Sequence, residues 1–309
     1  MTTSTRLRGV FSPVLTPFNA DLTPSAERFT RHCKWLLKQQ VGLSIFGTNS
    51  EATSLTLSEK HRLLDALLDA GLPPERMMPG TGACAIGDAV ELTRHAVNAG
   101  CGGVLMLPPF YYKGVSDEGL FRSFAAVIDA VADERLKIYL YHSPPVTQVP
   151  ISLALIERLF KAYPGTIAGV KDSAGDWNHT EAMLKEFGPE GFDVFAGSET
   201  FLLANMRGGG AGCITATGNV NPTPMVELYD TWQQEGADEK QRALDGTRAV
   251  FQQFPMIPAM KAAIAAKTGD DGWRAVRPPL VELNPEQAQK LETGLDGLGF
   301  TMPYVEDLM

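Results

Sequence analysis

The sequence predicts an α/β fold, a (β/α)8 barrel over residues 1–236 followed by a helical region over residues 237–309, and three observations carry that expectation. Short runs rich in Val, Ile, Leu and Phe alternate with longer segments whose apolar residues recur at i, i+3, i+4 and i+7. Eight strand–helix pairs fit within about 230 residues, the size of one barrel, whereas an open doubly wound sheet usually has fewer strands. Strands such as 103–107 (GVLML) and 167–170 (IAGV) are apolar at successive positions, as a parallel strand covered on both faces requires.

In order, the predicted strands are 9–16, 43–47, 76–80, 103–107, 137–141, 167–171, 193–196 and 212–215. The helices between them span 26–40, 58–70, 87–99, 118–132, 153–162, 178–187, 200–206 and 224–235. Thr56 and Ser116 stand where an N-cap oxygen is wanted, and Gly71, Gly100, Gly188 and Gly236 where a left-handed residue would end a helix. After the first strand the chain reads PVLTPF, not G-x-G-x-x-G, which argues against a pyrophosphate seated on the following helix. Beyond Gly236 the segments 240–254, 255–267 and 285–298 are helical with no strand between them. This tail either packs on the barrel or builds an oligomer interface.

With 309 residues, 44% of them hydrophobic, the chain can bury a large core. Lys plus Arg number 27 against 36 Asp plus Glu, a net charge of −9 that argues against a nucleic acid or an anionic membrane as partner. No apolar run reaches the roughly 20 residues that span a bilayer. The polar N-terminus lacks the apolar stretch of a secretory signal, so a cytoplasmic location is expected. Cys33, Cys84, Cys101 and Cys213 form no C-x-x-C pair, and the histidines show neither H-x-H nor H-x-x-x-H spacing. Neither a disulfide framework nor a metal site is expected from such spacings, and no cofactor is implied.

In a barrel the chemistry sits where strands end. Strand 167–171 ends on Lys171 after a run of apolar and small residues, and loss of hydration there disfavours the ammonium and exposes a nucleophilic amine suited to a Schiff base. The competing reading is an amine that reaches the barrel mouth or pairs with Asp172. Lys137 and Lys261 read as surface or rim charges. Tyr141 ends the neighbouring strand, either as a proton relay or as a core tyrosine. The turn at 47–52 (GTNSEA) is rich in hydroxyls and amides, and reads either as a carboxylate site or as a simple capping turn.

Taken together, these segments resemble the pyruvate-dependent class I aldolases, the family of dihydrodipicolinate synthase and N-acetylneuraminate lyase, over the whole chain. The motifs are GTNSE at 47–51, PPFYY at 108–112, Y-x-x-P at 141–144, GVKD at 169–172 and GGGAGCIT at 208–215. The resemblance implies a TIM barrel assembled as a homotetramer, a dimer of dimers, in which Lys171 forms an imine with pyruvate or a related 2-oxo acid. It implies acid/base work for Tyr141, relayed through Thr48 to Tyr111, which a second subunit supplies, with Tyr112 as the alternative. Thr48 and Asn49 would bind the carboxylate, the main chain at Gly197 and Ile214 would shape the pocket, and Ser198, Glu199, Thr215 and Thr217 would face the second substrate.

The sequence departs from the family pattern at three positions. Asn49 replaces a second hydroxyl residue, Ser50 replaces a glycine, and Val146 stands where authentic dihydrodipicolinate synthases carry an arginine. Valine cannot hold a carboxylate through paired hydrogen bonds, so the chain is not expected to be an authentic dihydrodipicolinate synthase. His142 and Gln148 are expected to favour another acceptor, hydroxylated or aromatic. The expected function is a Schiff-base lyase that cleaves or condenses a 2-oxo acid and an aldehyde. Alternatives are a 2-oxo-sugar-acid dehydratase or hydratase-aldolase, and, from another class, a non-catalytic metabolite-binding barrel.

Overall fold

A computed structural model of the chain describes residues 6–309, so the polar segment 1–5 considered above lies outside the described residues. In chain order, β1 (Gly9–Ser12) is followed by α1 (Ala26–Lys38), β2 (Gly42–Leu43), α2 (Leu57–Asp69), α3 (Ile86–Asn98) and β3 (Val104–Met106). Next come α4 (Asp117–Val131), β4 (Ile138–His142), the single turn α5 (Pro144–Thr147), α6 (Leu153–Ala162), β5 (Ile167–Asp172) and α7 (Trp177–Phe187). β6 (Asp193–Ala196), α8 (Leu202–Arg207), β7 (Gly212–Ile214) and α9 (Pro222–Thr231) complete the alternation. Then α10 (Ala237–Phe251), α11 (Met256–Thr268) and α12 (Pro285–Asp296) follow without a strand.

Seven of the eight predicted strands form, so the α/β expectation holds with one correction. Segment 76–80 is no strand: it follows a 3-10 turn, Pro74–Arg76, and meets β3 through a single parallel bridge between Gly80 and Leu105. Pro79 accepts from the Leu105 N–H at 2.8 Å but has no N–H of its own, which limits the ladder there. The predicted strand 43–47 also stops early, because Phe46 adopts φ 61° and turns the chain. Thr56 and Ser116 cap α2 and α4 as expected. Gly188 is not left-handed; the chain continues from α7 into a 3-10 turn, Gly188–Glu190, and Gly191 takes the positive φ.

The chain divides into two compact units, the first comprising the described residues up to Gly9 with Pro73–Ile214, the second Val10–Leu72 with Thr215–Met309. In the first, β3 to β7 pair in parallel with their sequence neighbours. The register sets Leu140 beside Val170 and Val170 beside Val194, and these side chains join Val104, Met106, Ile138 and the apolar faces of α3, α4, α6 and α7 in one buried core. One residue along, Tyr141, Lys171 and Phe195 form a row on the opposite face. At Gly169 a Cβ would lie 2.1 Å from the Asp193 carbonyl oxygen, so only glycine lets β5 approach β6 this closely.

In the second unit β1 and β2 form a parallel pair, Phe11 beside Gly42 and Ser12 beside Leu43. Buried Asn219 ties distant segments together: its Oδ1 accepts from Leu15 N–H at 2.9 Å, while its Nδ2 donates to the Pro13 and Ala216 carbonyls. Helix α11 buries residues all round its circumference, from Pro258 to Ala265, and has no polar face over that stretch. Gly169→Ala is expected to cost about 3 kcal/mol by forcing β5 and β6 apart, read as a lower denaturant midpoint at an unchanged slope.

Candidate active site

The row Tyr141, Lys171 and Phe195 follows from local sequence and register alone. β5 reads IAGVKD, so Lys171 shares a face with Gly169 while Val170 and Asp172 turn to the helices. Lys171 is 2% exposed, and its Nζ lies 4.2 Å from the centroid of the Tyr141 ring, which holds the amine by cation–π attraction. Buried Glu199, in the 3-10 turn after β6, and Lys171 both act electrostatically on Cys213: burial pushes that thiol well up, Glu199 raises it further and Lys171 opposes them. A lysine, a tyrosine and a carboxylate are thus buried at the carboxyl ends of consecutive parallel strands, where β4, β5 and β6 lead into their loops.

Asp172 does not pair with Lys171 but belongs to the other face. Its Oδ1 accepts from Ala174 N–H at 3.0 Å, and its Oδ2 accepts from Thr180 Oγ1 at 2.7 Å and from His179 Nδ1 at 3.0 Å. Burial disfavours the carboxylate, yet His179, Thr180 and the Ala174 N–H together hold it below the ordinary 3.8. Asp172 in turn raises His179 above 6.5. His142 stacks on His179 with centroids 4.5 Å apart, and burial holds it down at about 4, so it is neutral at physiological pH. His142 was expected to favour the acceptor; instead it stands opposite Tyr141, accepting the Ile151 N–H on Nδ1 at 3.0 Å.

The ligand atoms of His142, Asp172 and His179 lie within 4.8 Å of one another, a grouping that could hold a cation and that no sequence spacing announced. Much of their bonding capacity is used within the protein: the Ile151 N–H occupies Nδ1 of His142 and puts its proton on Nε2, and Asp172 accepts three hydrogen bonds. The arrangement is a hydrogen-bonded carboxylate–imidazole couple rather than a set of open ligands.

The second unit carries the turn expected to bind a carboxylate. Thr48–Ser50 is one 3-10 turn with Thr48 and Asn49 half-buried. Ser50, where relatives have glycine, accepts the Gly47 N–H on its hydroxyl at 3.1 Å, and its carbonyl accepts from Thr16 Oγ1 at 2.7 Å. Thr215 and Thr217 are buried, and Arg248 from α10 donates to Thr215 Oγ1 at 3.4 Å. Back in the first unit, Gly197 donates its N–H to the Asp172 carbonyl, Ser198 caps the turn holding Glu199, and Ile214 ends β7. Tyr111 and Tyr112 sit apart from these groups, 74% and 72% exposed and packed edge to face.

Sequence reasoning missed Lys261. It is not a rim charge; it is 0% exposed within α11 and pairs with Glu51 at 2.5 Å. The signal was present in AMKAAIAAK, where the residues flanking the lysine are apolar on every side of a helix.

The family model for the dihydrodipicolinate synthetase family matches residues 6–297. This chain belongs to the dihydrodipicolinate synthetase family. It is 32% identical over 293 residues to a DapA-like lyase of Chloroflexus aurantiacus, covering 94% of this chain and 96% of that one. The structure resembles dihydrodipicolinate synthase from Agrobacterium tumefaciens, with a TM-score of 0.87 and 32% identity over 94% of this chain and 99% of that one. It also resembles YagE, a prophage protein of Escherichia coli K12 of the dihydrodipicolinic acid synthase family solved in complex with pyruvate, with a TM-score of 0.86 and 27% identity over 95% and 99% of the two chains. Val146 is 63% exposed on α5.

The raised His179 stabilises the fold fully below 6.5 and loses its effect as pH rises through the folded value; the lowered Asp172 does so above 3.8 and loses its effect on acidification. The couple is therefore expected to stabilise most between those values. Imidazole proton shifts followed against pH should show His179 titrating above the ordinary histidine value, Asp172→Asn bringing it down, and His142 unprotonated until about 4.

Proposed function

We propose that this chain is a Schiff-base lyase acting on pyruvate or a related 2-oxo acid. The observation that carries the reading is the buried Lys171 at the carboxyl end of β5, with its Nζ against the Tyr141 ring. The Lys171 amine adds to the C2 ketone, the carbinolamine loses water, and the protonated imine becomes an electron sink. A C–C bond beyond C3 then breaks, its electrons passing into an enamine while the departing fragment leaves as an aldehyde; the reverse order gives condensation. Tyr141 moves the proton that water loss and aldehyde release require. Thr48 and the turn at Asn49 hold the 2-oxo acid carboxylate, the main chain at Gly197 and Ile214 shapes the pocket, and Ser198, Glu199, Thr215 and Thr217 face the second substrate.

The DapA-like lyase relative and the pyruvate complex of YagE support this reading. The exposed Tyr111 favours assembly with a second subunit, in a homotetramer, where Tyr111 or Tyr112 completes the relay through Thr48. Val146 disfavours an aldehyde that presents a carboxylate at α5, and so disfavours authentic dihydrodipicolinate synthesis.

Borohydride reduction in the presence of pyruvate is expected to add a covalent adduct to Lys171, detected by mass spectrometry and absent from Lys171→Ala; no adduct with any of several 2-oxo acids would overturn the proposal. Tyr141→Phe is expected to lower turnover about 10²- to 10⁴-fold with the adduct still trappable.

A further inference from the structure

Glu51 closes the GTNSE motif, and nothing above gives it a role. Its backbone is left-handed at φ 55°, as is that of Phe46 at φ 61°, so residues with side chains bracket the turn in a conformation that disfavours them. A left-handed residue with a side chain persists where its surroundings hold it. Around Glu51 they do. Oε1 accepts from Lys261 Nζ at 2.5 Å, and Oε2 accepts from the Arg277 backbone N–H at 2.9 Å. Lys261 also donates to the Ala275 carbonyl at 2.7 Å and lies 4.5 Å from the Phe18 ring centroid. Arg277 is fixed in turn by Glu59 on α2, through two hydrogen bonds at 2.5 and 2.9 Å, and donates to the Ser54 carbonyl at 2.6 Å.

Stability does not account for this pair. Both side chains are 0% exposed, and burial holds the Lys261 ammonium down at about 8 although Glu51 and Glu282 pull the other way. For the ammonium, desolvation therefore outweighs attraction, and a buried ion pair of this kind is a weak source of net stability. What an apolar pair cannot do is fix one oxygen atom in one place. The Glu51 N–H donates to the Thr48 carbonyl and the Glu51 carbonyl accepts from Ser54, so fixing its carboxylate fixes the turn that carries Thr48 and Asn49.

We propose that Glu51 and Lys261 are positioning residues that hold the 47–51 turn in its substrate-binding shape, with α11 as the rigid support. The inference rests on the reading of this turn as the carboxylate site of a 2-oxo acid. It is tested on the full chain with Lys261→Met, Glu51→Gln and the double variant Glu51→Leu/Lys261→Met, the last chosen to fold without an uncompensated buried charge. Three quantities are read: thermal midpoint, hydrogen exchange of amides 47–52 without ligand, and the pyruvate concentration giving half-maximal borohydride trapping. The single variants lower the midpoint and the double variant restores it. In the double variant the turn amides nevertheless exchange faster, and half-maximal trapping needs about tenfold more pyruvate or higher, equivalent to 1.4 kcal/mol. Wild-type exchange at 47–52 in the double variant overturns the proposal, whatever the pyruvate dependence. Faster exchange with unchanged pyruvate dependence leaves the lock standing and instead removes the carboxylate role from the turn. Absence of trapping in the wild type overturns the Schiff-base reading, and the exchange measurement then decides the lock by itself.

Discussion

Successive side chains of a parallel strand leave on opposite faces, and the register that places Tyr141, Lys171 and Phe195 side by side decides which groups the chemistry can use. A slip of one residue would send Lys171 into the apolar core and bring Asp172 to the face that Tyr141 occupies. The close approach at Gly169 and the interlocked Leu140, Val170 and Val194 set that register, so packing on the helix face places the amine on the other. Placement of Lys171 is thus coupled to strand pairing and to core packing on the other face of β5.

The same alternation separates two electrostatic environments one residue apart. On one face the Lys171 amine is buried against an aromatic ring; on the other Asp172 accepts three hydrogen bonds. His179 and Thr180 hold the Asp172 carboxylate on that face.

Much of this was legible before any coordinates. Lys171 and Tyr141 end short apolar runs, and a strand's period is two, so their sharing of one layer depends only on which residues pair. The turn at 47–51 stood out by its hydroxyls. What the sequence hid was long-range or conformational. His142, Asp172 and His179 meet only because β4 and β5 pair and α7 folds back, which no spacing within one element encodes. The strand at 76–80 looked like its neighbours, but Pro79 lacks the donor a ladder needs. Lys261 was misjudged because a charge in a helix suggests a polar face, and α11 has none over its buried stretch.

That last feature bears on how the protein becomes active during synthesis. Glu51 and its counter-ion are 210 residues apart in the chain. At about 5–20 residues per second, some 10–40 s separate their emergence from the ribosome. Throughout that interval the nascent chain carries Glu51 without the lysine that meets it in the folded second unit. The helical tail is accordingly less an attachment to a finished fold than the source of the buried counter-ion for a turn formed 210 residues earlier.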